Sequence, residues 1–139
     1  MKKFWQIVSK KDLIFGLVIL SLVVIISLKP SNKVRFYFEE DSVDIKTTKY
    51  SMNVPYDMIA SAELVDKPDM GTIVDGYTDN IVAYGIWENE TWGQYTAIVE
   101  VYTDNCIVLT LTDGRFFVVS RRDNPETQAV FEQLTQYLS

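Results

Sequence analysis

The chain has 139 residues, 13 Lys or Arg against 19 Asp or Glu, no histidine and one cysteine, for a net charge of −6. The absence of histidine removes Ser-His and Cys-His dyads and most zinc sites, and one cysteine excludes an internal disulfide. Residues 30–139 hold 8 of the bases and 18 of the acids, a net of −10. Nucleic acid and anionic headgroups repel such a surface, so neither nucleic-acid nor phosphoinositide binding is expected.

Residues 1–12 form a basic segment with Lys2, Lys3, Lys10 and Lys11. From Leu13 to Leu28 follow sixteen uncharged residues, mostly Leu, Ile and Val. Lipid offers backbone groups no partners, so a single spanning segment must be a helix. At 1.5 Å per residue it reaches about 24 Å, a little short of the hydrocarbon core. Lys11 and Lys29 can snorkel, and Phe4 and Trp5 suit an interfacial anchor. The run is apolar all round, unlike a core helix, and its exit, Ile25 to Pro30, has no signal-peptidase-like site. We therefore expect residues 13–28 to be an uncleaved transmembrane helix in a single-pass cell-membrane protein. Four basic residues precede it and three follow closely, which places residues 1–12 in the cytoplasm and the domain outside.

Residues 29–33 are a short linker, and residues 34–139 amount to one domain. Val34 to Glu39 alternates apolar and polar, the period of a half-buried strand. After a polar turn, Val43 to Thr48 alternates again, and Tyr50 to Met52 suits a third short strand. Asn53 to Asp57 reads as a turn because Pro55 fixes φ and lacks a donor. Met58 to Val65 is strand-like. Asp66 to Asn80, with Pro68, Gly71 and Gly76, reads as a long loop holding at most a short strand at Thr72 to Val74. Ile81 to Trp87 is a strand with Gly85 at a bulge or bend. Glu88 to Trp92 is a turn, Tyr95 to Thr103 a strand, and Asp104-Asn105 a tight turn into the strand Cys106 to Thr112. Asp113-Gly114 signals a type I′ hairpin, so Arg115 to Ser120 completes a three-strand meander. Asn124 as N-cap, Pro125 and Glu126 then open a helix with an apolar stripe of Val130, Phe131, Leu134, Tyr137 and Leu138.

Several stretches, in this order, carry a family likeness. They are Val54-Pro55-Tyr56-Asp57-Met58-Ile59, the glycines Gly76, Gly85 and Gly93 with interleaved aromatics, Leu111-Thr112-Asp113-Gly114 to Val119, and Asn124-Pro125-Glu126-Thr127. Over residues 50–138 the chain resembles the bacterial pleckstrin-homology-like (PH-like) domains of the small membrane-tethered type. The resemblance implies an α+β, mainly β fold of about seven antiparallel strands in a partly open barrel, capped by the C-terminal helix. It implies a scaffold or ligand-binding module rather than an enzyme. Lipid-binding members use basic residues around the first hairpin; here that turn is Glu39-Glu40-Asp41, of opposite charge.

The acids Glu39, Glu40, Asp41 and Asp44 lack the spacing of a calcium loop and suit a solvated hairpin tip. Cys106 sits in an apolar strand with no base beside it. Arg121 and Arg122 point opposite ways in an extended segment. Tyr84, Trp87, Trp92 and Tyr95 are the candidate ligand or partner contacts, with closure of one barrel end as the competing role. No cofactor, metal ligand set or catalytic residue is expected. The expected function is a non-catalytic protein-interaction or assembly module at the membrane surface, working through a strand edge or groove. The alternative is a small-ligand sensor or transporter accessory with an aromatic pocket.

Overall fold

A computed structural model describes residues 33–139. The expected cytoplasmic segment 1–12, the transmembrane run 13–28 and most of the linker 29–33 lie outside the described residues. Among the described residues no helix is long and apolar enough to cross a membrane.

The domain is mainly β, with two sheets and one C-terminal helix. The first sheet is a meander of β1 (Arg35–Phe38), β2 (Ser42–Lys46) and β3 (Ser51–Pro55), in that order. Pro55 does not break it, contrary to the expected turn from Asn53. It is the last residue of an edge strand, where a missing donor costs the ladder nothing. A single 3-10 turn, Tyr56–Met58, leads into the second sheet. That sheet holds β4 (Ile59–Asp66), β5 (Thr72–Thr78), β6 (Val82–Asn89), β7 (Gly93–Glu100), β8 (Asn105–Leu111) and β9 (Phe116–Val119). Its spatial order is β4-β8-β9-β7-β6-β5. The helix α1 spans Asn124–Leu138.

Four expectations are corrected. There are nine strands among the described residues rather than about seven, and they are not all antiparallel: β7 and β9 run parallel. The last three strands are therefore no meander, because β9 inserts between β7 and β8. Burial explains the insertion. Phe117 and Val119 join one core cluster and Val118 the other, so both faces of β9 are buried, which suits a central strand paired on both edges. A small buried polar cluster closes the crossing: the Thr103 hydroxyl bonds Ser120 Oγ at 3.1 Å and donates to the Glu100 carbonyl at 3.0 Å. Ser120 Oγ in turn accepts from the Glu100 amide at 3.0 Å. The 112–115 turn is not type I′ either. Only Gly114 has positive φ, and its amide donates to the Leu111 carbonyl. That is a type I turn closed by a left-handed glycine.

The six-stranded sheet is strongly curled. Leu64, Ile107, Val119, Ile98, Tyr84 and Tyr77 form one row across it. On a flat sheet, strand spacing and stagger would set the end of β4 about 30 Å from the start of β5. The five residues between them, 67–71, span about 20 Å at most. The two edges must therefore bend toward each other, and residues 67–71 cross the concave face. The Lys67 amide donates to the Asp104 carbonyl, Lys67 Nζ to that of Val101, and Asn89 Nδ2 to that of Asp69.

Two core clusters follow. One, with Ala83, Trp87, Tyr95, Ala97, Val99, Cys106, Val108 and Val118, lies under this strap. The other joins Val43, Ile45 and Val54 of the first sheet to Ile98, Ile107 and Leu109 of the second, and to Val130 and Leu134 of α1. Tyr137 stacks on Phe38 and Tyr56, 5.3 and 5.0 Å between centroids, fixing α1 against the first sheet. The helix N-cap is Asp123, one residue earlier than expected; its carboxylate accepts from the Glu126 amide at 2.9 Å. Asn124 serves a different purpose, accepting from the Asp104 and Asn105 amides.

Candidate functional site

The segment expected to be mostly loop is a full strand. Thr72, Ile73, Val74, Tyr77 and Thr78 are good strand formers, and Gly76 and Gly85 allow the pairing. The two glycines face each other, Gly85 at φ +101°. A Cβ on Gly76 would lie 2.2 Å from the Tyr84 carbonyl oxygen, and one on Gly85 2.5 Å from the Asp75 carbonyl oxygen. Glycine here marks close strand approach rather than a turn. The register shift falls on β5, between Ile73 and Asp75.

This makes β5 an edge strand of seven residues, paired on one side only, with every residue exposed. Ile73, Val74 and Tyr77 are 42, 48 and 43 % exposed. The other edges differ. β1 and β3 are shorter, β3 ends in proline, and β4 packs against α1.

Beside this edge lies a groove of about 360 Å³, lined by Tyr50, Asp75, Tyr77, Tyr84 and Ile86 and floored by the two glycines. Tyr50 stacks on Tyr84 with centroids 5.0 Å apart, and Tyr77 tilts against Tyr84 at 5.3 Å. Burial, then the Asp75 charge, raises the Tyr50 phenol above its usual pKa. The Tyr77 hydroxyl donates to Asp79 Oδ2 at 3.0 Å, which raises its phenol chiefly through that bond.

The four aromatics expected to form one site are divided between the two faces of the sheet. Tyr84 lies in the groove. Trp87 and Tyr95 are paired across β6 and β7 in the core beneath the strap. Trp87 Nε1 donates to the Tyr84 carbonyl at 3.1 Å, and the Tyr95 hydroxyl donates to the Met70 carbonyl. Burial raises the Tyr95 phenol strongly. Trp92 meets the edge of Tyr95 at 5.1 Å. Three of the four thus close the concave core, and the groove takes Tyr84 together with Tyr50, Asp75 and Tyr77. The signal for Asp75 and Tyr77 was the strand composition of residues 72–78, masked by the glycines; nothing local marked Tyr50.

The remaining candidates carry no site. No group of three His, Cys, Asp or Glu capable of holding a metal occurs among the described residues. Cys106 is fully buried, and burial pushes its thiol up to about 11. Arg121 pairs with Glu126 at 3.1 Å. Compared with protein-family models, with curated proteins and with solved structures, the chain matches none.

Proposed function

We propose that the protein is a non-catalytic interaction module, tethered to the cell membrane by residues 13–28 and capturing a protein partner by strand addition to β5. The observation that carries this reading is the open edge of β5: seven exposed residues, paired on one side, with apolar side chains at Ile73, Val74 and Tyr77. An edge of this length, paired on one side only, presents free backbone donors and acceptors and invites a further strand. It has no proline or lysine; its protection is the bulge at Val74 and Asp75. Kinship with PH-like domains is supported by the two sheets and the closing helix. The parallel pairing of β7 and β9 departs from an all-antiparallel barrel, so the proposal leans on the edge and not on kinship. A small-ligand pocket built from Trp87, Trp92 and Tyr95 is disfavoured, because these side chains fill the core beneath the strap.

Photocrosslinking tests the edge. A benzophenone amino acid at Val74 of the full chain, in its own membrane, should give a discrete adduct. The same group at Tyr102, 76 % exposed and following β7, should give none. Equal patterns from both positions, or no adduct from Val74, would sink the reading. Protease added to intact cells, with a C-terminal tag followed, tests the side: digestion without lysis places the domain outside.

A further inference from the structure

The β5 edge is open and it is also anionic. Between Lys67 and Arg115 the chain carries eight acids and no base. Asp69, Asp75, Glu88 and Glu90 lie on β5, on β6 or on the connections beside them, all exposed. None takes part in either ion pair found among the described residues, Arg115 with Asp113 and Arg121 with Glu126. Lys49, next to Tyr50, is the base nearest the groove in sequence and lies in an exposed turn.

The groove beside the edge has matching chemistry. Asp75, Tyr77, Tyr84 and Ile86 pair across β5 and β6, and Tyr50 covers them from the first sheet. The floor is bare backbone, because neither Gly76 nor Gly85 can carry a side chain there. Aromatic faces are electron-rich and attract cations, Lys or Arg above all. The carboxylate of Asp75 adds a full negative charge. An acidic side chain would be repelled, and an apolar one would cover Asp75 without giving it a partner.

We propose that the segment added to β5 is extended and basic, and that one of its Lys or Arg side chains enters the groove between Asp75, Tyr77 and Tyr84. The proposal rests on the strand-addition reading above and names the partner's chemistry. Strand geometry fixes the position of that side chain. A residue of the added strand opposite Asp75 has its Cβ about 5 Å away on the same face, and long side chains also reach the diagonal neighbour. The cation therefore stands opposite Asp75 or Tyr77. A second copy of this chain is a poor occupant. Antiparallel pairing of two β5 strands about their centre sets Asp75 against Asp75, and residues 30–139 of each copy carry a net of −10.

The test uses the full chain in nanodiscs of phosphatidylcholine and two fluorescent seven-residue peptides. Both have the pattern Thr-Val-X-Val-X-Val-Thr, one with X as lysine, the other with X as glutamate. The lysine peptide should bind saturably, and raising salt from about 50 to about 300 mM should weaken it several-fold. The glutamate peptide should not bind. Asp75→Asn should weaken the lysine peptide about threefold, and Asp75→Asn with Tyr77→Leu about tenfold. Asp44→Asn, on the first sheet, should leave it unchanged. Equal binding of both peptides, or indifference to salt and to Asp75, overturns the proposal. An adduct from Val74 whose crosslinked segment lacks Lys and Arg overturns it too, while leaving the strand-addition reading intact.

Discussion

Gly76→Ala decides whether residues 72–78 are a paired strand or a loop. The added methyl would sit 2.2 Å from the Tyr84 carbonyl oxygen, where an ordinary carbon–oxygen contact needs about 3.3 Å. The obstacle is backbone, so no side-chain rotation relieves it, and β5 must retreat from β6 by about 1 Å. That displacement takes the neighbouring ladder bonds from about 2.9 Å to nearly 4 Å, beyond bonding distance. Two such bonds at about 1 kcal/mol each give a local cost of about 2 kcal/mol. Because β5 is an edge strand, the loss should appear as fraying rather than global unfolding. Amide exchange of residues 72–78 and 84–88 should accelerate by about thirtyfold, the equivalent of that energy, while Ile107 and Leu109 in the core stay protected. Gly114→Ala is the control. It meets nothing within 4 Å and suffers only from φ +89°, so it should cost about 1 kcal/mol and leave exchange of β5 unchanged. Unaltered exchange in the Gly76 variant would refute the pairing, and the docking edge with it.

Three further outcomes follow from two buried groups and the helix cap. Glu100 is 4 % exposed and its Oε2 has no partner among the described residues. Burial raises its carboxyl, against the Val34 amide and the charges of Lys33, Arg121 and Arg122. A raised carboxyl keeps its proton longer in the folded state, so stability falls as pH rises from the unfolded pKa through the folded one. Glu100→Gln should therefore gain on the wild type across that range in urea midpoints, and a constant difference would contradict it. Cys106, buried and with its thiol raised to about 11, should react with a thiol reagent at pH 7 only on the timescale of unfolding; prompt native labelling would contradict its burial. Asp123→Ala should cost about 1 kcal/mol through the lost cap, and equal thermal shifts for Asp123→Ala and an Asn124→Asp variant would contradict the assignment of the cap to Asp123.

Local pattern and long-range pairing divide what was legible. Apart from β5, the strands from Val34 to Val119 could be read from local pattern, and the closing helix from its stripe, because each signal sits within a few residues. The helix cap slipped by one because Asp123 and Asn124 are both good caps, and only the Asp104 and Asn105 amides claim the second. What failed was pairing. Gly76 read as punctuation because its reason for being glycine lies nine residues away, at Gly85. β9 read as the end of a meander because nothing in Arg115 to Ser120 says which strand will pair with its second edge. The aromatics failed in the same way. Gly85 stands between Tyr84 and Trp87, and which face each ring takes is decided by the strap at Met70 and by Tyr50, both distant in sequence. The surface open to a partner has the same origin. An edge is what remains once every other strand has found its neighbours, so no local pattern can announce it. Composition can still say what such an edge would attract: 47 residues from 68 to 114 without a base are visible in the chain alone. The sheet only decides that this charge gathers beside β5, the long edge strand whose every residue is exposed. A sequence-legible charge and a sequence-illegible edge then coincide at β5, and that coincidence favours a basic segment over an acidic one as its occupant.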